Sequence, residues 1–176
     1  MLTVVLITGI LAAIGVQSLA KNNSFSNTVV KVTSGLRVTS LKARANAGIP
    51  YRVTLQVDPN TTEQFLRTQY LVNSNCNAPA TAPWRQDATQ DIYIPKRIVI
   101  PNTIDAGNPS IKPFPGFCFD GRGKVTSLNG ATRIFSMKDS KPGEKATLAN
   151  ISISAIGDFT YETYSSNSTP LGTKFN

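Results

Sequence analysis

Residues 25–57, FSNTVVKVTSGLRVTSLKARANAGIPYRVTLQV, change period halfway along, and that change decides the fold. Phe25, Val29, Val32, Leu36, Ala43 and Ala47 recur at spacings of three, four or seven. This is one apolar face of a helix. Lys31, Arg37, Lys42 and Arg44 occupy much of the remainder. Gly48-Ile49-Pro50 stops the helix, because glycine ends a last turn readily and proline cannot continue it. From Tyr51 the period is two. Tyr51, Val53, Leu55 and Val57 alternate with Arg52, Thr54 and Gln56, as in a half-buried strand, and Asp58-Pro59-Asn60 turns the chain.

Upstream, Met1 to Ala20 carries no charge. A helix of that length rises about 30 Å, the thickness of a bilayer core. A cleavable signal peptide is the first rival reading, and a soluble core helix, which the length argues against, is the second. No basic residue precedes the apolar run, however, and Gln17-Ser18-Leu19-Ala20 is a poor cleavage site. The simplest expectation is one helix over 2–47, apolar all round at first and one-sided later. Its first part suits lipid or a filament core, and Phe25, Val29, Val32 and Leu36 suit packing against a sheet.

Downstream, strands are expected over 64–72, 91–94, 96–100, 116–119, 124–128 and 132–137. Asp120-Gly121-Arg122-Gly123 reads as a turn and Lys138 to Lys145 as a polar loop. Residues 151–156 and 159–164 flank Gly157-Asp158, read as a two-residue hairpin turn. Residues 73–90 and 101–115 read as long loops. The expected division is 1–20 hydrophobic helix, 21–48 amphipathic continuation, 49–164 strand-rich head and 165–176 flexible tail.

The chain has 176 residues and a net charge of +8. Six of its 18 basic residues lie before Asp58, the first acid, leaving 12 basic and 10 acidic residues beyond Val57. The positive charge thus follows the apolar segment, which suits anionic headgroups or acidic neighbours. There is no histidine. That removes imidazole acid–base catalysis, Ser–His and Cys–His nucleophile pairs, and the commonest metal ligand. The acids are scattered. Asp87 and Asp91 are the nearest pair, and Asp120 and Asp139 read as turn residues. Gly121-Arg122-Gly123 lacks the Lys-Ser/Thr and following helix of a phosphate loop. Asp58 to Glu63 lacks the ligand density of a calcium loop. No enzyme activity, metal or cofactor is expected. Cys76 and Cys118, the two cysteines, lack zinc-site spacing. In an exported chain they read as one disulfide, the alternative being two buried thiols.

Gly9-Ile10-Leu11-Ala12-Ala13-Ile14, preceded by Leu2-Thr3-Val4-Val5-Leu6-Ile7, resembles the N-terminal signature of type IV pilins and type II secretion pseudopilins. The later order resembles the minor, H-like or FimT-like branch. An Ala- and Arg-containing helical segment, Leu36 to Ala47, precedes the first strand. A Phe-x-x-x-Gly turn follows at Phe119 to Gly123, and a closing strand ends at Gly157. The resemblance implies an α+β, pilin-like protein whose long N-terminal helix packs on an antiparallel sheet or small β-sandwich. It implies a minor structural subunit of a pilus or pseudopilus, held single-pass in a bacterial inner membrane with its head in the periplasm or outside. Its partners would be other pilin-like subunits, the inner-membrane assembly platform, and lipid before assembly. Leu2, Val4, Val5, Leu6, Ile7, Gly9, Ile10, Leu11, Ala12, Ala13 and Ile14 would form the membrane and assembly helix, with small residues letting backbones approach. The family's cleavage-site Gly, methylated residue and Glu do not precede Met1, so the chain as written is not expected to be a substrate for leader cleavage. Gln17 stands where many pilins carry a helix-opening proline.

The resemblance also raises DNA uptake as the alternative function. Arg122, Lys124, Arg133, Lys138, Lys141 and Lys145 would form the basic patch. Asp120, Asp139 and Glu144 are interleaved with them, as on an ordinary solvated surface.

Overall fold

The computed structural model describes residues 25–46, 48–103, 110–129, 132–139, 147–165 and 170–175. The expectations for 2–24, Ala47, Lys141 and Lys145 lie outside these residues.

Helix α1 spans Phe25–Ala45 and buries Phe25, Thr28, Val29, Val32, Thr33, Leu36, Thr39, Ser40 and Ala43. Valine and threonine are indifferent helix formers, so this helix owes its stability to the face it buries. Phe25, Val29, Val32 and Leu36 are fully buried, each contributing about 1.5–3 kcal/mol of apolar transfer. Two of the buried threonines bond back to the helix itself. Thr33 Oγ1 donates to Val29 O and Thr39 Oγ1 to Gly35 O, at 3.0 and 3.1 Å. Gly48 ends the helix at φ +85°, left-handed backbone that glycine adopts freely. Asn46 Nδ2 donates to Lys42 O at 2.9 Å, satisfying one last-turn carbonyl.

The strands are β1 (Tyr51–Val57), β2 (Gln64–Tyr70), β3 (Arg85–Gln86), β4 (Ile92–Tyr93), β5 (Ile98–Val99), β6 (Phe117–Phe119), β7 (Val125–Ser127), β8 (Ile134–Asp139), β9 (Leu148–Ile153), β10 (Phe159–Tyr164) and β11 (Pro170–Phe175). One sheet runs β3-β2-β1-β6-β7 with β4 also on β2; the other runs β11-β10-β9-β8-β5. All pairs are antiparallel. The helix packs against β1, β4 and β6. One core joins helix and both sheets: Leu36, Val53, Phe117, Phe135 and Ile151 are all fully buried in it. Main-chain Val125 N to Ala155 O, at 2.9 Å, ties the sheets at one end. Gln64 ties β2 to Ile100 through both amide atoms, at 2.8 and 2.7 Å. The fold is α+β and pilin-like: an N-terminal helix laid on antiparallel sheets, with a disulfide in the head.

Several expectations change. The Gly157-Asp158 hairpin is a wider turn. Ile153 pairs with Phe159, leaving Ser154 to Asp158 as the connection. Ser154 Oγ there accepts from Ile156 N and Asp158 N, so the serine builds a turn that glycine alone was expected to make. The tail is not loose over 170–175. Those residues form β11 on the free edge of β10, with Thr160 opposite Phe175. Pro170 begins that strand, where a missing N–H is tolerated. The loop 73–90 carries β3 and a short 3-10 turn over Ala88–Gln90. Lys138 and Asp139 belong to β8, not to a loop. Asp139 is buried and accepts from Arg97 Nη2 at 2.7 Å, its side chain wholly hidden from solvent. A carboxylate taken out of water needs such a partner.

Candidate functional site

Two surfaces of the head have features beyond a solvated exterior. The first is the outward face of α1. At about 100° per residue, Val30, Ser34, Val38, Leu41 and Ala45 fall on one stripe. That stripe lies on the opposite side of the helix from Phe25, Val29, Val32, Leu36 and Ala43. Val30, Val38 and Leu41 are 41, 48 and 54% exposed. Lys31, Arg37 and Arg44 are exposed beside the stripe, and the helix holds no acid. An apolar strip between cations is costly to leave wet along a whole helix, and it suits contact with another apolar, acidic surface.

The second surface is a groove of about 620 Å³ at the end of the first sheet. β1 pairs with β2 over its full length but with β6 only through Tyr51, Val53 and the residue between them. The reason lies at Gly116, whose φ of +68° sits in left-handed backbone. Before it the chain leaves β1 for the other sheet: Phe114 N donates to Pro101 O, and Ser136 N to Lys112 O. Thr54–Val57 therefore faces a gap, closed on its far side by Thr126 to Asn129. The loop carrying Cys76 and Trp84 overhangs it. A Cys76–Cys118 disulfide, with Cα atoms 5.6 Å apart, anchors that loop to β6. Cys118 is the register partner of Arg52. The Arg52 guanidinium lies 4.3 Å from the Trp84 ring centroid, and its Nε donates to Gln69 Oε1 at 2.9 Å. Burial lowers the pKa of Arg52. Among the described residues it has no carboxylate partner.

The acids considered for catalysis or for calcium each accept hydrogen bonds that hold local structure. Asp91 accepts from Thr68 N and from Gln86 Nε2. Asp58 accepts from Asn60 N and Thr61 N, and these bonds lower its pKa. Asp120 closes its turn by accepting from Arg122 N and Lys124 N. Asp87 pairs with Lys42 at 2.5 Å and accepts from Thr89 Oγ1. Burial pushes the Asp87 carboxyl up, but the bonds from Lys42 and Thr89 outweigh it and hold the pKa below the ordinary value. The Asp87 hydrogen bond raises Lys42 against a smaller desolvation effect. A carboxyl whose pKa falls on folding contributes stability above its unfolded value and loses it as pH drops through the folded value. The Asp87 contribution should therefore disappear on acidification below about pH 4. Asp87→Asn should flatten the stability–pH curve in that window while leaving it parallel to wild type near pH 6, as read by urea unfolding. A curve still as steep below pH 4 would assign the acid sensitivity elsewhere.

Of the basic residues considered for DNA, Arg122 and Lys124 lie in the β6–β7 turn. Arg133 precedes β8, its carbonyl bonded to Ile153 N, and Lys138 is exposed near the far end of β8. The last two are five positions apart along an extended chain, about 17 Å. The described members thus spread over both sheets and form no single cluster within one element. Among the described residues no group of three or more His, Cys, Asp or Glu could hold a metal, and no helix is long and apolar enough to cross a membrane.

The four helix residues expected to pack on the head are fully buried, and the two cysteines are joined. Sequence reasoning missed the groove. Its walls come from β1, the 76–84 loop and the ends of β6 and β7, and no local pattern connects them. The short, two-sided pairing of β1 was the only signal, and it is invisible without the register. No family model, curated protein or solved structure matches the chain.

Proposed function

We propose that this chain is a minor pilin or pseudopilin, a structural subunit of a type IV pilus or type II secretion pseudopilus, and not an enzyme. The observation that carries the reading is the two-sided character of α1. One face is built into the head, and the opposite face presents Val30, Ser34, Val38, Leu41 and Ala45 between cations. A helix used only to complete the head would need one apolar face. The second face, together with the charge-free run Met1 to Ala20 farther upstream in the sequence, supports side-by-side packing with other subunits. On this reading the upstream segment anchors the chain in the bacterial inner membrane until the assembly platform engages it, with the head in the periplasm or outside the cell.

Val38→Glu combined with Leu41→Glu tests it. Both side chains are about half exposed, so the head should keep its melting temperature within a few degrees. Two carboxylates buried against a neighbour would carry a heavy desolvation cost. Incorporation into filaments, scored in sheared fractions, should fall at least about tenfold. Normal incorporation of a stably folded variant would remove α1 from the interface and overturn the reading.

A further inference from the structure

We propose that the groove beside β1 receives an extended acidic peptide segment of a partner protein, which adds as a strand along Thr54–Val57 and sets a carboxylate against Arg52. The first argument is main-chain geometry. Alternate residues of an antiparallel strand direct N–H and C=O to opposite sides. On the β2 side all of β1 is paired. On the other side pairing stops at Val53, and no described residue takes up the main-chain groups beyond it. Those groups form an open edge about 13 Å long, set in a recess and not on the rim of the sheet. Strand addition satisfies such an edge, whereas a saccharide or a globular surface meets its spacing only by chance.

The second argument is size and polarity. At about 620 Å³ the groove lies within the range that holds a small ligand or a short peptide. Val57 and Leu128 line it and are 54 and 36% exposed, so alternate side chains of an added strand would find apolar contact. Asn102 and Asn129 supply carboxamides, each both donor and acceptor.

The third argument is charge. Among the described residues no acid lines the groove. Arg52, the one cation among the described lining residues, sits with its guanidinium carbon 4.3 Å from the Trp84 ring centroid, and among the described residues only its Nε is committed, to Gln69. A half-buried guanidinium in this state is poorly hydrated and retains N–H donors in the fork that fits a carboxylate. An added strand continuing the line of β6 would carry an outward side chain close to Arg52, because Arg52 faces outward beside Cys118.

Trp84 is the only tryptophan, so its fluorescence reads the groove directly. The full chain in detergent should be titrated with a terminally blocked pentapeptide, Val-Asp-Val-Asp-Val. A saturable change at Trp84, with slowed amide exchange within Thr54–Val57, is the expected result. Replacing the aspartates of the peptide by asparagines, or Arg52→Gln in the protein, should weaken binding about tenfold or more. Methylating alternate peptide nitrogens should abolish it, since side chains are kept and strand pairing is lost. Lys138→Gln, on the other sheet, should leave it unchanged. The asparagine peptide keeps the charge test valid on unaltered protein should Arg52→Gln disturb the fold. Absence of saturation at about millimolar peptide overturns the proposal. So does indifference to N-methylation or to the loss of the aspartates. A stronger response to tri-galacturonate or to a single-stranded oligonucleotide would assign the groove to another ligand class and equally overturn it. None of these readouts involves filament assembly, so the result stands apart from the role assigned to α1.

Discussion

Replacing Cys76 and Cys118 together by alanine should lower the unfolding free energy by about 4 kcal/mol. The bond closes a separation of 42 residues, and the loss of that constraint falls mainly on the denatured chain. The native contacts that remain are many. Cys118 is fully buried within β6, which still pairs with β1 and β7. The folded state should therefore persist, with the same far-ultraviolet circular dichroism and a lower midpoint in urea. The urea m-value should rise, because an uncrosslinked chain exposes more surface on unfolding. Alanine is the better replacement at 118, since serine would bury a hydroxyl and add its own penalty. A loss under about 1 kcal/mol at an unchanged m-value would mean that the denatured chain is already compact around this loop.

The second large effect lies where the sheets meet. Phe117 of the first sheet and Phe135 of the second have ring centroids 5.9 Å apart. Phe114 stands edge-on to both, at 5.2 and 4.9 Å. Phe117 and Phe135 are fully buried. Phe117→Ala should cost about 4 kcal/mol, combining lost transfer energy with the cavity left between two sheets that cannot both relax into it. Phe135→Ala should cost a similar amount. The double variant should cost less than the sum by about 1 kcal/mol, because each single change already removes the shared ring contact. Strict additivity in this cycle would show that the two rings are energetically independent and that the core is not continuous across the sheets.

Much of this architecture is legible in the sequence where periodicity is long enough to count. Twenty-one helical residues and the seven of β1 show their periods plainly. β3, β4 and β5 have two residues each, too few for any alternation, and exist because neighbouring strands offer free main-chain groups. β11 was misread for the same reason. Pro-Leu-Gly-Thr-Lys-Phe has little strand character, and its conformation comes from the edge of β10. The Arg97–Asp139 pair unites residues 42 positions apart, and the charge of Asp139 suggested exposure until its partner was known. The helix hid something too. Threonine and serine at 28, 33, 39 and 40 looked polar, yet all four are buried; their hydroxyls can turn back on the helix, as those of Thr33 and Thr39 do. The stripe of Val30, Val38 and Leu41 was present in the sequence but uninterpretable before the opposite face was known to be occupied.

The overhanging loop is held at both ends, by Cys76 to β6 and by Trp84 to Arg52. Between them Asn77, Pro79, Ala80, Thr81 and Pro83 are exposed, and none belongs to the core. The identity of those side chains is therefore almost uncoupled from folding. Substitutions in this stretch should cost the scaffold little. A foreign epitope grafted there would inherit a shape fixed by its two moorings.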